Sequence, residues 1–285
     1  MDSWLLLLGF GVLAGFLGGV FGVGGGVVFA PLLTWWLAQQ GCGGSLLVEL
    51  VLSNSLALTL LTGVLGWGLW LQKGVFTGWD VLRLGLPSAI ASVVMAHAIR
   101  TGTWYNQAGF RVFFSFMLGL VLFRNAQHLL SPKTSHINGN TRSIHHWALP
   151  GLGLVAGIFS ALSGLGGGAI MVPILQRWRY RDQASINALS MGSIAVMALA
   201  STVYYWTMPS TPAVGLSLVG RLIPSFLAPC ALGTLLGLLP GIRLAGHLTQ
   251  NPQGERNLRW ALLFFLGAVL LWVNRSFMLS FNSNF

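Results

Sequence analysis

Long apolar stretches alternate with short polar segments along the whole chain. The first stretch, from Trp4 to Ala38, contains no charged residue. Further stretches lie at about 46–71, 81–99, 110–123, 148–176, 184–206, 214–239 and 260–273. Several exceed the roughly 20 residues that a helix needs to cross a bilayer. The pattern predicts an all-α polytopic membrane protein, because the strands of a membrane barrel would show short segments of alternating polarity.

One polar segment divides this pattern into two halves. It contains the turn-forming sequences Ser131-Pro132-Lys133 and Asn138-Gly139-Asn140. We predict a first repeat at 1–128, a polar linker at 129–147 and a second repeat at 148–285. A solvated connector is favoured over a metal site there, since no cysteine or carboxylate accompanies its histidines. These histidines are His136, His145 and His146, together with His128 directly before the linker.

The composition supports the membrane class and narrows the partners. Of 285 residues, 54% are hydrophobic and 7% are charged, whereas soluble chains carry about 25% charged residues. The net charge of +10 comes from 15 Lys and Arg against 5 Asp and Glu. These basic residues lie at the ends of apolar stretches, which indicates a role in membrane topology and no nucleic-acid partner. Cys42 and Cys230 are isolated, so we predict no disulfide, metal or cofactor.

A cluster of glycines interrupts the first apolar stretch. Residues 22–26 are Gly-Val-Gly-Gly-Gly, and Pro31 follows five residues later. In a helix interior each glycine costs roughly 0.5–1 kcal/mol relative to alanine. The same pattern returns at 164–168 with Pro173. We predict that both clusters break a helix at membrane depth and that both prolines are structural.

The two clusters belong to an internal repeat. Residues 15–33 align with 157–175 at a constant offset of 142. Weaker markers continue the alignment at offsets of 138 and 137: Ser55-Leu56-Ala57 with Ser193-Ile194-Ala195, and Leu86-Pro87-Ser88 with Ile223-Pro224-Ser225. The common order predicts a tandem duplication. Many transporters have this organisation, with the substrate site at the repeat interface near the membrane midplane.

The basic residues separate two arrangements of the halves. If each glycine cluster lies in a segment that crosses once, the halves are parallel, Arg100 and Arg221 lie on opposite sides, and the charges divide seven against eight. If each cluster is a hairpin tip followed by three transmembrane helices, the halves are inverted and the charges divide eleven against four. The four are Arg100, Arg111, Arg221 and Arg275. The second division agrees with the positive-inside rule, so we predict inverted repeats with both termini outside. Whether the hairpin arms span the membrane or are re-entrant stays open.

A helix that begins directly after a glycine cluster offers an anion site. The N–H groups of its first turn are free, and the positive end of its dipole points at the glycines. The alternative is that the glycines only allow close helix packing, and the polar side chains at this depth could equally join helices. The repeated clustering before a proline favours the anion site. Its predicted residues are Gly24, Gly25, Gly26, Gly166, Gly167, Gly168, Ser163, Asn54, Ser55, Asn187, Ser190 and Ser193.

Few titratable groups fall within the apolar segments. Glu49 and His97 are candidates for proton coupling, although both also fit an interfacial position. The six histidines, five acidic residues and two cysteines are scattered, so they supply no nucleophile–base pair or metal site. We therefore predict that the protein is not an enzyme.

The glycine motifs resemble a known family. The segment from Gly15 to Gly26 with Pro31, repeated from Gly157 to Pro173, is similar to the paired signature of the sulfite exporter TauE/SafE family of membrane transporters. The resemblance implies transport of a small anion such as sulfite, thiosulfate or an organosulfonate across a bacterial-type inner membrane, with export as the expected direction. A passive anion channel is the alternative function. Besides the anion, the expected partner is the lipid bilayer. Whether the protein forms a homo-oligomer stays open.

Overall fold

The computed structural model is a bundle of helices. It describes residues 2–130 apart from 23, 76–77 and 103, residues 147–248 apart from 179–181 and 211–216, and residues 254–273 apart from 255, 258–259, 262 and 272. The helices are α1 (Asp2–Phe21), α2 (Gly26–Gln39), α3 (Gly44–Gln72), α4 (Gly78–Thr101), α5 (Gln107–Leu130), α6 (Ala148–Ser163), α7 (Gly168–Arg177), α8 (Gln183–Trp206) and α9 (Pro224–Leu248). The described part of 254–273 is also helical.

Six of the described helices are long and apolar enough to cross a membrane, namely α1, α3, α4, α5, α8 and α9. The prediction of an all-α polytopic membrane protein is therefore confirmed. One predicted boundary is wrong, because α9 begins at Pro224 and not near Val214. Proline suits the first helical position, where no N–H donor is required. The predicted linker falls mainly on 131–146, which lies outside the described residues together with His136, His145 and His146.

The glycine clusters are the points at which two helices break. α1 ends at Phe21 and α2 begins at Gly26, while α6 ends at Ser163 and α7 begins at Gly168. With 14 and 10 residues, α2 and α7 are about 21 and 15 Å long. Both are shorter than the hydrocarbon core of a bilayer, which is about 30 Å thick. The returning arm of each hairpin is thus too short to span a membrane.

Glycines on α1 and α9 bring these two helices into close contact. Gly11, Gly15 and Gly19 lie against the backbone of Cys230, Thr234 and Leu238, respectively. Such close packing through small residues is typical of membrane helices. Because the contacting residues advance together along both helices, α1 and α9 run in the same direction.

The second half contains the corresponding contact. Gly153 and Gly157 of α6 lie against the backbone of Leu84 and Ser88 of α4. Gly153 and Gly157 correspond to Gly11 and Gly15 of α1, so their partner α4 is the counterpart of α9. Leu84 and Ser88 then correspond to Cys230 and Thr234, at an offset of 146. It does not reproduce the pairing of Leu86-Pro87-Ser88 with Ile223-Pro224-Ser225. The helix that precedes each glycine cluster therefore packs against a helix of the other half.

The centre of the bundle is formed by α3 and α8. Gly63 lies against Ala195 and Gly66 against Met191, so these two helices run in opposite directions. α8 runs in the same direction as α4, since Gly192 meets Val81 and Gly85 meets Val196. Most residues of the α3 and α8 candidate spans are buried, which places both helices inside the bundle.

Candidate functional site

The first tip, residues 22–26, is a tight turn between α1 and α2. Gly22 and Gly24 have φ angles of 67° and 77°, a left-handed conformation that L side chains rarely adopt. The first helical hydrogen bonds of α2 run from the N–H groups of Val28 and Phe29 to the Gly25 carbonyl. The N–H groups that precede them have no acceptor within the helix, as at any helix start.

The second tip, residues 164–168, is built in a similar way. Gly164, Gly166 and Gly167 have φ angles of 70°, 87° and 72°. The first bonds of α7 run from the N–H groups of Ile170 and Met171 to the Gly167 carbonyl. Here Gly168 also donates within the tip, to the Gly166 carbonyl, at 2.9 Å. Both clusters thus end one helix and begin another, as predicted.

The two tips touch each other inside the protein. A Cβ atom added to Gly26 would collide with the Gly164 carbonyl oxygen and would lie 2.8 Å from the Leu165 Cα. The described residues of both tips are buried. The N-terminal ends of α2 and α7, and with them the positive ends of two helix dipoles, therefore meet in one buried region.

Three of the predicted serines hold the tips in place through their hydroxyl groups. Ser55 donates to the Gly164 carbonyl at 2.7 Å, and Ser190 donates to the Gly22 carbonyl at 3.2 Å. Ser163 donates to the Phe159 carbonyl at 2.7 Å and accepts from the Leu165 N–H at 3.3 Å. The described conformation thus uses the hydroxyl protons of all three serines within the protein.

Asn187 reaches the first tip through a chain of amides. The position of a Cβ on Gly22 lies 3.1 Å from the Asn187 Oδ1 atom. That oxygen accepts from Gln183 at 2.9 Å, and Gln183 in turn accepts from Gln176 at 2.8 Å. The sequence analysis did not predict either glutamine as a site residue. The one signal was that Gln176 and Gln183 are polar and lie at the edges of apolar segments.

Asn54 lies beside a different part of the fold. Its Oδ1 atom accepts from the Ile223 N–H at 2.7 Å, and its Nδ2 atom donates to the Arg221 carbonyl at 3.1 Å and the Leu50 carbonyl at 2.8 Å. Ser53 also donates to the Arg221 carbonyl, at 2.8 Å. The structure therefore places Asn54 on the turn before α9, whereas its neighbour Ser55 lies on the second tip.

Ser193 differs from the other predicted serines. It is fully buried, and its hydroxyl has no hydrogen-bond partner among the described residues. Ser193 lies on α8 six residues after Asn187, which contacts the first tip. By its contacts, Asn187 is the counterpart of Ser55, because each lies against the first glycine of a cluster. Ser55 therefore does not correspond to Ser193, although the sequence markers suggested that pairing.

Pro31 and Pro173 lie inside the short arms, each at the sixth residue of its helix. Proline has no N–H group, so each removes one hydrogen bond from its arm. Both positions are compatible with the predicted structural role.

Glu49 and His97, the two candidates for proton coupling, lie apart from the tips. Glu49 is paired with Arg221, with 3.1 Å between Oε1 and Nε, and its Oε1 lies 4.0 Å from the Arg100 Nε. His97 is exposed, and its Nδ1 lies 3.2 Å from the Tyr204 hydroxyl. The shared contact with Glu49 places Arg100 and Arg221 at the same end of the bundle.

Together, the six long apolar helices and the two buried, glycine-broken hairpins define a multi-pass α-helical membrane protein, and such discontinuous helices are typical of secondary transporters. Comparison with known proteins gives the particular family. The chain belongs to the sulfite exporter TauE/SafE family, whose sequence model matches residues 7–273. This result confirms the resemblance that the glycine motifs indicated, and the family is one of membrane transporters.

Two relatives carry names of the same kind. A probable membrane transporter protein of Haemophilus influenzae is 30% identical over 171 residues, which cover 60% of this chain and 62% of that protein. The match thus spans less than two-thirds of the Haemophilus protein. A probable membrane transporter protein of Methanocaldococcus jannaschii is 23% identical over 205 residues, which cover 71% of this chain and 72% of that protein. No solved structure matches the chain.

Proposed function

We propose that this protein exports a small sulfur-containing anion, such as sulfite or an organosulfonate, across an inner membrane by alternating access. The anion is held between the two glycine tips. One observation carries the proposal: the helix starts at Gly26 and Gly168 belong to tips that touch inside the protein. An oxyanion has several acceptor oxygens and suits two converging sets of backbone N–H donors.

The proposal includes inverted repeats, and the helix directions support this. α1 and α9 run together, α4, α6 and α8 run together, and α3 runs against α8. The start of α9 lies near the end of α8, since the Arg221 N–H donates to the Tyr205 carbonyl. Each of α1, α3 and α4 thus runs opposite to its counterpart α6, α8 and α9. The common contact of Arg100 and Arg221 with Glu49 also favours this arrangement over parallel halves.

The experiment is flux into proteoliposomes that contain the purified protein. Wild type should take up sulfite or a short organosulfonate with saturation and counter-transport. Linear flux without counter-transport would indicate a passive anion channel instead. Thermal shift with sulfite, thiosulfate, sulfate and two- or three-carbon sulfonates identifies the preferred anion, because a ligand of the folded state raises its apparent stability.

Two substitutions test the position of the site. Gly25→Leu and Gly167→Leu should abolish flux, because a Cβ at Gly25 lies 2.5 Å from the Phe29 ring and Gly167 has a φ of 72°. Gly9→Leu and Gly151→Leu are matched controls on the same two hairpins, since a Cβ at either position meets nothing within 4 Å. Normal flux in folded Gly25→Leu and Gly167→Leu would refute the assignment.

A further inference from the structure

Thr59 of α3 touches both glycine tips. The position of a Cβ on Gly24 lies 3.1 Å from the Thr59 Cγ2 methyl carbon, and a Cβ on Gly166 would collide with the same carbon. Gly24 and Gly166 occupy equivalent positions in the two clusters, at the offset of 142. Thr59 itself is fully buried and is the sixteenth of the 29 residues of α3, so it lies at the middle of that helix.

The orientation of the Thr59 side chain is fixed by its own helix. The hydroxyl donates to the Ser55 carbonyl, one turn earlier, at 2.8 Å. A β-branched side chain has few χ1 choices in a helix, and this hydrogen bond selects one of them. The hydroxyl is therefore occupied on the helix, and the methyl group is the part of Thr59 that faces the tips.

The corresponding residue on α8 has a different role. Asn187 contacts the first tip as Ser55 contacts the second, and the residue one turn after Asn187 is Met191. The Met191 side chain lies against Gly66 of α3 and so fills the contact between the two central helices. A methyl group from the first half thus lies against both tips, at Gly24 and at Gly166.

We propose that the Thr59 methyl group is a spacer: it fills the space between Gly24 and Gly166, limits the room that the tips leave for the anion, and so sets the largest anion the protein accepts. This inference rests on the proposed function, which places the anion between the tips. Thr59 is a positioning residue, because it acts through the glycines it touches. A smaller side chain at this position lets the tips accommodate a longer sulfonate.

The test compares the uptake of sulfite, ethanesulfonate and propanesulfonate by proteoliposomes. Thr59→Ser removes the methyl group and keeps the hydroxyl. It should raise the ratio of kcat/KM for propanesulfonate to that for sulfite about tenfold, the lower end of what one carbon decides in a shaped pocket. Thr59→Val keeps a methyl group in place and loses the hydroxyl, so it should keep the wild-type size preference. Equal shifts of this ratio in the two variants, or no shift in Thr59→Ser, would refute the proposed role of the Thr59 methyl group.

Thr101→Ser is the matched control for the loss of a threonine methyl. Thr101 makes the same hydrogen bond to its own helix, to the His97 carbonyl at 2.9 Å, but is exposed at the end of α4. It should leave the size preference unchanged. A change as large as that in Thr59→Ser would show that the effect is not specific to the tips.

A second measurement tests the spacer without any transport substrate. Thr62 is buried beside the first tip, with its Oγ1 3.8 Å from the position of a Cβ on Gly24. Thr62→Cys, in a protein with Cys42→Ala and Cys230→Ala, should react severalfold faster with an anionic methanethiosulfonate when Thr59 is Ser than when it is Val. Equal rates would overturn the spacer. If wild type transports none of the three anions, the proposed function fails, and the labelling rates still decide the role of Thr59.

Discussion

Replacing Glu49 by glutamine tests whether this carboxylate is a counter-ion or a proton-coupling group. The Glu49 and Arg221 side chains are only 12% and 8% exposed, and their charged atoms are 3.1 Å apart. At an effective dielectric constant near 20, such charges attract by about 5 kcal/mol, and their desolvation offsets much of this. Removing one partner of a buried pair costs about 3–5 kcal/mol, because the other charge stays buried.

Arg221 has further contacts, so we expect a loss at the lower end, about 3 kcal/mol. The temperature of unfolding should then fall by about 6–12 °C, at roughly 2–4 °C per kcal/mol for a chain of this size. The measurement is thermal unfolding in detergent, followed by tryptophan fluorescence. Glu49→Gln with Arg221→Met should recover most of the loss, since the charge that remains near position 49, on Arg100, is 34% exposed.

Arg83→Gln is the control for the loss of an ion pair as such. Arg83 lies 3.9 Å from Asp80 with its side chain 57% exposed, so the change should cost no more than about 1 kcal/mol. The reasoning is refuted if Glu49→Gln lowers the unfolding temperature no more than Arg83→Gln does. A variant that stays stable but loses the pH dependence of transport would identify Glu49 as the proton-coupling group.

Two further predictions concern helix packing and a buried thiol. Gly237→Ala should lower the unfolding temperature, because its Cβ would collide with the Val12 carbonyl between α1 and α9. Gly9→Ala should leave that temperature unchanged, since a Cβ there meets nothing within 4 Å. Equal effects of the two substitutions would contradict the packing role of Gly237. Burial raises the pKa of the Cys42 thiol, so less thiolate is present at any given pH. The rate of Cys42 alkylation should rise with pH, with a midpoint above about 8.5, the ordinary pKa of a cysteine thiol. A midpoint at or below that pH would contradict the burial argument.

The helices and their breaks could be predicted from the sequence because both are local properties. A long apolar run can satisfy its backbone in a membrane only as a helix, and clustered glycines with Pro31 or Pro173 interrupt that helix. The offset of 142 is reliable because Gly22 and Gly24 recur as Gly164 and Gly166 with the same left-handed conformation, which L side chains rarely adopt. These features depend on residues that are close in sequence, so a single amino-acid sequence is sufficient to predict them.

Other predictions needed tertiary contacts that a sequence does not contain. The triplets around Ser55 and Pro87 recur in the second half, but short runs of small and apolar residues recur by chance in membrane helices. The contacts relate Ser55 to Asn187 instead. In the same way, neither spacing nor hydropathy could show that Asn54 lies on the turn before α9 while Ser55, the next residue, lies on the second tip.

The hydrogen bonds at the tips explain why the two halves depend on each other. A helix that ends inside the protein leaves carbonyl groups without helical partners, and at membrane depth each needs a donor. For Gly22, where α1 ends, the donor is Ser190 of the second half; for Gly164, where α6 ends, it is Ser55 of the first. The Leu162 carbonyl likewise accepts from the Tyr105 hydroxyl of the first half. Because each broken helix is completed by a side chain from the opposite half, neither half alone supplies these donors.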